Sequence, residues 1–137
     1  MELRLVADEA TARDLATINA HAYGMPVEMF ECICNLHLWH ADSFGYVGYV
    51  DGRAVTSAAA FPAGGTVYVA LVATMPDAHG KGYAEAVMRR AVAAGQQEMG
   101  ISRATLHASD AGRPLYQSMG YQDCARLSIL SPAGTHE

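Results

Sequence analysis

The residues His79-Gly80-Lys81-Gly82-Tyr83-Ala84 stand between two contrasting stretches. Before them runs an apolar, strand-like segment over 66–74, and after them a helix-like segment over 84–92. A strand, a short glycine-bearing loop and a helix N-terminus together make an anion site. The first N–H groups of a helix have no intrahelical partner, and the macrodipole places partial positive charge beside them. Glycines let a phosphate approach the backbone closely. The chemistry indicated is binding of a phosphate-bearing ligand. Two common classes are excluded. The loop has no Gly-Lys-Ser/Thr ending, so it is not a nucleoside-triphosphate loop. A third glycine at the dinucleotide spacing is also missing.

The flanking pattern predicts the elements that position this loop. A first strand spans 3–6. Asp8 then caps a helix running to about 22, with Ala12, Leu15, Ala16, Ile18 and Ala22 near helical period. Gly24 ends it, and Pro26 opens a second helix to about 37 with Met29, Phe30, Ile33 and Leu36 as its stripe. Strands follow at 43–50 and 53–61 around the hairpin signal Asp51-Gly52. The next strand, 66–74, is nearly all apolar, as a central strand covered on both faces would be. A helix over 82–99 stops at Gly100, with Val87, Met88, Ala91, Val92 and Met99 inward. A strand at 103–108, a short helix at 113–119 stopped by Gly120, and a last strand at 121–130 complete the chain, with a frayed tail from Ser131. The order is β-α-α-β-β-β-α-β-α-β. The strand–helix–strand unit over 66–108 predicts a parallel pair in an otherwise antiparallel sheet. The expected class is α/β (α+β), a mixed sheet of six to seven strands flanked by helices, in one domain spanning 1–137.

Composition narrows the partners. The chain has 137 residues, 51% hydrophobic, with a formal charge of −5 and only nine Lys plus Arg. Those cations do not cluster in sequence, which argues against nucleic acid. The acidic balance suits a small cationic substrate such as an amine. No apolar run approaches the roughly 18 residues of a membrane span. The N-terminus lacks a basic region followed by an apolar one, so a cytoplasmic location is expected. Cys32, Cys34 and Cys124 match no zinc spacing and read as structural thiols. His37 and His40 have helical spacing but no third ligand nearby, so no metal site is expected.

The element order and the loop together resemble the GNAT superfamily of acyl-CoA N-acyltransferases. The family loop pattern is Arg/Gln-x-x-Gly-x-Gly/Ala, read here as residues 79–84. Leu71-Val72-Ala73-Thr74-Met75-Pro76 is similar to the family's strand-end segment. A second stretch, Ser109-Asp110-Ala111-Gly112-Arg113-Pro114-Leu115-Tyr116-Gln117-Ser118-Met119-Gly120-Tyr121, is similar to the family's Asn-x-x-Ala-x-x-Leu-Tyr-x-x-x-Gly-Phe pattern. The resemblance covers residues 3 to about 130. His79 stands where Arg or Gln is usual, which implies a weaker or pH-dependent cofactor contact. Ser109 stands where Asn is common, which shortens or removes one side-chain hydrogen bond. The chain begins at the first strand, which leaves it either a whole acyltransferase domain or the C-terminal half of a larger one.

The resemblance implies an N-acetyltransferase that moves an acetyl group from acetyl-CoA to an amine of a small molecule or peptide by direct attack on the thioester. It implies that backbone N–H groups of His79, Gly80, Lys81, Gly82, Tyr83 and Ala84 hold the pyrophosphate, with Lys81 either a phosphate contact or a solvated loop lysine. Val72, Ala73 and Thr74 would pair with the pantetheine arm, and an N–H near Ala73 would polarise the thioester carbonyl. Ser109 is counted with the cofactor residues. Tyr116 matches the family tyrosine that reaches the coenzyme sulfur as general acid. A phenol near pKa 10 faces a thiol near 8.5, so full proton transfer is uphill by roughly 2 kcal/mol, but a hydrogen bond still lowers the barrier. Candidates for the base are Tyr68 and His107, with Glu31 and Asp42 behind them. Acceptor choice would fall to residues 23–40 and 61–65, and a homodimer is expected. The competing expectation is an acyl-CoA-binding regulatory or partner domain with little catalysis.

Overall fold

A computed structural model describes residues 1–39, 42–128 and 130. Two compact units divide the chain, residues 1–107 and 108–137. The first holds a five-stranded sheet in the order β1-β2-β3-β4-β5. Its strands are β1 (Glu2–Leu5), β2 (Phe44–Val50), β3 (Arg53–Ala63), β4 (Thr66–Thr74) and β5 (Ala104–Leu106). The first four are antiparallel neighbours, and β4 pairs with β5 in parallel. Among the described residues, five strands thus stand where six to seven were expected. Residues 121–128 form no strand, so the last strand is not made there. Glutamine, aspartate, arginine and serine interrupt its apolar positions and leave it no clean alternation to bury.

Helix α1 (Glu9–Tyr23) starts on a capping box. Thr11 N–H donates to Asp8 Oδ1 at 2.8 Å, and Asp8 N–H donates to Thr11 Oγ1 at 3.3 Å. Two helix-end donors are met locally. The bond from Thr11 N–H holds the Asp8 carboxyl below its ordinary value. The buried stripe is Ala12, Leu15, Ala16, Ile18 and Ala20, with Asn19 among them, whereas Ala22 is exposed. Gly24, at φ 64°, closes the helix.

The expected second α-helix is instead 3-10 helix at Val27–Cys34 and Leu36–Leu38. Of its predicted stripe only Ile33 is buried, while Met29 is 65% exposed. A short helix without a buried face gains too little to propagate the wider α turn. Trp39 anchors the segment: its Nε1 donates to Ile33 O at 2.8 Å, and its ring lies 5.7 Å from that of Phe61.

Alternation along β3 sorts the two sheet faces. Val47 of β2, Ser57 of β3 and Ala73 of β4 lie on the α1 face. Ala60 and Val67 lie on the other face, under α2 (Tyr83–Met99). There α2 buries Val87, Met88, Ala91 and Gly95, leaving Val92 and Met99 half-buried. A Cβ at Gly95 would stand 2.9 Å from Val67 Cγ1, so glycine lets the helix sit this close to β4. Asp51 and Gly52, at φ 50° and 80°, turn β2 into β3 with the positive dihedrals a tight hairpin requires.

The second unit contains α3 (Arg113–Ser118). Tyr121 N–H donates to Tyr116 O at 3.0 Å, Arg113 Nε donates to Asp123 Oδ1 at 3.3 Å, and Arg113 also pairs with Asp123 through its terminal nitrogen.

Candidate functional site

The glycine loop is built as the sequence indicates. A 3-10 turn at Pro76–Ala78 leads to His79, and then Gly80 and Gly82 take φ 76° and 79°. Nothing lies within 4 Å of a Cβ built on either glycine, so their conformation and not lack of space calls for glycine. Gly82 is the N-cap of α2 and supplies no side-chain cap. The first intrahelical bond runs from Ala86 N–H to Gly82 O at 3.2 Å. The N–H groups of Tyr83, Ala84 and Glu85 therefore precede the ladder, which leaves an uncapped, seventeen-residue helix dipole at the loop. His79, Gly80, Lys81 and Gly82 are exposed, and Tyr83 and Ala84 are half-buried.

A cleft of about 350 Å³ adjoins the loop, lined by Asp51, Arg53, Asp77, Lys81 and Tyr83 among others. Arg53 donates to Asp77 Oδ1 at 3.0 Å. That hydrogen bond, with a smaller pull from Lys81, holds the Asp77 carboxyl below its ordinary value. Two cations face two carboxylates here, so the cleft itself carries no net attraction for phosphate. The donors for an anion are the backbone groups at the start of α2.

β4 is irregular where the sequence suggested it would receive a ligand. Ser57 and Ala59 of β3 pair with Ala73 and Ala70, so one extra residue is fitted into β4. Leu71 takes φ 55°, a left-handed conformation rare for a non-glycine residue. Each carbonyl of this stretch accepts from a hydroxyl on another element. Ser57 Oγ donates to Leu71 O at 2.9 Å, Tyr23 OH to Val72 O at 2.9 Å, and Thr56 Oγ1 to Ala73 O at 3.0 Å. Behind Ser57, Asn19 Nδ2 donates to Ser57 Oγ at 3.1 Å and to Leu15 O at 2.9 Å. The pairing of β4 with β5 stops at Val69 and Leu106. Among the described residues, no strand pairs with residues 70–74 on that side. The outer half of β4 is an open edge, as a strand-like ligand arm requires.

Two of the expected bases meet. Tyr68 OH lies 3.3 Å from His107 Nδ1, and their rings stand edge to face at 5.4 Å. His107 directly follows β5, where the parallel pairing ends, and it is exposed. Glu31 and Asp42 are exposed and outside the sheet. In the second unit, Ser109 Oγ accepts from Gly112 N–H at 3.2 Å, so its hydroxyl shapes the turn into α3. Tyr116 is half-buried, 6.3 Å from the Tyr121 ring. A Cβ at Gly112 would stand 3.0 Å from its Cε2, so glycine there makes room for that ring.

The segment expected to choose the acceptor carries exposed apolar side chains, Tyr23, Met25, Met29, Leu36 and Leu38. His40, half of the histidine pair considered for a metal, lies outside the described residues, as does the expected frayed tail. Among the described residues, no group of three His, Cys, Asp or Glu could hold a metal ion. Among the described residues, no helix is long and apolar enough to cross a membrane. Sequence reasoning missed Asn19, Ser57 and the hydroxyl role of Tyr23. The one available signal was an asparagine within the apolar stripe of the first helix.

Comparisons with known proteins bear on this geometry. The family model described as an acetyltransferase (GNAT) domain matches residues 41–123, more than half of the chain. No curated protein matches. A protein from Clostridium acetobutylicum described as a predicted acetyltransferase, solved with acetyl-CoA, superposes with a TM-score of 0.75 at 22% identity, over 99% of each chain. A ribosomal-protein-alanine N-acetyltransferase from Brucella melitensis gives 0.72 at 20% identity, over 96% of this chain and 99% of that one. An aminoglycoside 6'-N-acetyltransferase from Acinetobacter haemolyticus gives 0.78 at 15% identity, over 96% and 98%.

Proposed function

Because the chain belongs to the GNAT acetyltransferase family, we propose that it transfers an acetyl group from acetyl-CoA to an amine of a small molecule or peptide. The observation that carries this reading is the joint presence of an uncapped helix start behind Gly80 and Gly82 and an open, bulged edge on β4. In this reading the N–H groups of residues 79–84 bind the pyrophosphate. Residues 72–74 carry the pantetheine arm as an added strand partner. An N–H at the bulge polarises the thioester carbonyl as the amine attacks.

Acetyl transfer also needs a neutral amine and a stabilised thiolate. The contact between Tyr68 and His107 supports a base built from both. Tyr68 takes a proton from the ammonium as its own passes to His107 Nδ1, and the exposed imidazole returns a proton to solvent. Tyr116 is assigned the thiolate, by its match to the family pattern, and Ser109 the turn that presents α3. Lys81 adds a cation beside the phosphates. The relatives include enzymes named for an antibiotic amine and for a protein alanine, so both acceptor classes stay within the proposal.

The test is thermal unfolding with and without excess acetyl-CoA. A ligand bound only by the folded state at 100 times its dissociation constant adds about 2.7 kcal/mol. A clear rise in melting temperature, followed by amine-dependent release of coenzyme A thiol, is expected. No rise at millimolar ligand would refute the reading.

A further inference from the structure

Three successive carbonyls of β4 accept hydrogen bonds from side-chain hydroxyls: Leu71 from Ser57, Val72 from Tyr23 and Ala73 from Thr56. In a regular ladder, backbone N–H groups of β3 would fill the carbonyls that face it. Here the extra residue breaks the ladder, and hydroxyls from β3 and α1 take over. Leu71 alone, held at φ 55°, carries the strain of a left-handed L-residue. The surrounding bonds must outweigh that cost for the bulge to persist. Ser57 is fully buried, and so is Asn19, which fixes the Ser57 oxygen from α1. The chain Leu15–Asn19–Ser57–Leu71 therefore ties the middle of α1 to the bulge. Tyr23 ties the end of α1 to the next peptide.

A trans peptide points its carbonyl and its N–H in opposite directions. Holding the carbonyl of Leu71 against β3 thus turns the N–H of Val72 to the open edge, and Tyr23 fixes the same residue through its own carbonyl. The N–H of Ala73 faces β3, as that of Met75 does when it donates to Val55 O. We infer that Tyr23, Ser57 and Asn19 are positioning residues for acyl transfer: by gripping the carbonyls of Leu71 and Val72 they hold the N–H of Val72 toward the open edge, at the thioester. This rests on the acetyltransferase reading above. The three residues act through the backbone and need not touch the substrate. Preorganised donors accelerate a reaction because they need no reorientation as charge develops.

Tyr23→Phe is the cleanest perturbation, since the ring is 55% exposed and only the hydroxyl is removed. Loss of a whole oxyanion donor costs about a hundredfold to a thousandfold in kcat, so a donor left in place but loosened should cost about tenfold. The KM for acetyl-CoA and the melting temperature should change little. Amide hydrogen exchange of the ligand-free protein provides a second readout that does not depend on catalysis. Exchange at Val72 should quicken in Tyr23→Phe, and in Ser57→Ala scored on its folded fraction. Unchanged exchange overturns the grip itself, whatever the activity of the protein. Faster exchange with unchanged kcat overturns its catalytic consequence, as does a defect confined to the KM of the amine. If the unmodified protein neither binds acetyl-CoA nor releases thiol, the acetyltransferase reading fails and takes the catalytic claim with it, while the exchange result still decides the grip.

Discussion

Replacing Gly82 separates the backbone conformation of the loop from everything else near it. Gly82 sits at φ 79°, and nothing lies within 4 Å of a Cβ placed there. Alanine would therefore meet no neighbour, and its whole effect is the cost of a left-handed L-residue, roughly 1–2 kcal/mol. At about 4 °C per kcal/mol for a chain of this size, Gly82→Ala should melt roughly 4–8 °C lower. Asparagine visits the left-handed region more readily, so Gly82→Asn should lose less. Thermal unfolding of the three proteins checks that order. Acetyl-CoA titration adds the functional half. If the strained loop binds the ligand about tenfold more weakly, ligand that stabilises the parent by about 2.7 kcal/mol will stabilise the alanine variant by only about 1.4 kcal/mol. Equal stability of the alanine variant and the parent, or an asparagine variant worse than alanine, would refute the argument from φ. An undiminished ligand shift in a destabilised variant would refute the placement of the phosphates at this loop.

Gly95→Ala sets helix propensity against packing. The helix gains up to about 1 kcal/mol, but the new methyl meets the buried Val67 at 2.9 Å, and overpacking costs about 1–3 kcal/mol. A lower melting temperature, restored in part by adding Val67→Ala, is expected in calorimetry. Tyr116→Phe should slow turnover by about tenfold or more with acetyl-CoA affinity nearly unchanged, and an unaltered rate would remove its assigned role. Tyr68→Phe and His107→Asn should each slow turnover, and the double variant should be no slower than the worse single one, because a pair acting as one unit is not additive. Asp8→Ala should lower the melting temperature at neutral pH. The Asp8 carboxyl is held below its ordinary value in the fold, so its stabilisation is full above that value and fades as the pH falls through the lowered one. The gap between variant and parent should close in acid.

Local rules of the chain made much of this molecule readable. Gly24 and Gly100 end helices in left-handed conformations, as a C-terminal glycine does. The apolar run over 66–74 is a strand with the bounds it showed in sequence, and the helix after it returns the chain to a parallel partner. The glycine loop was legible because its conformation is written in its residues. The bulge was not, because Leu71 is an ordinary strand residue and gives no sign of a positive φ. Its cause lies in Ser57 and Asn19, 14 and 52 positions away in the chain, which no local window joins. The segment over 27–38 misled for the opposite reason. Its apolar spacing is helical, but the faces it would bury stay largely in solvent, so tertiary context and not periodicity decided the outcome.

Lys81, exposed in the glycine loop, is the single lysine of the whole sequence. A lysine-directed protease therefore has one address, at the place where phosphates are proposed to bind. Cleavage would part the chain between β4 and α2 and yield two fragments of predictable mass. Ligands that order the loop would slow that single cut, and ligands bound elsewhere would leave it alone. On the proposed acetyl-transfer reading, Lys81 is also the one lysine side-chain amine of the sequence that an acetyl donor could reach. An acetyl mass increment on a lysine side chain can therefore fall only at residue 81.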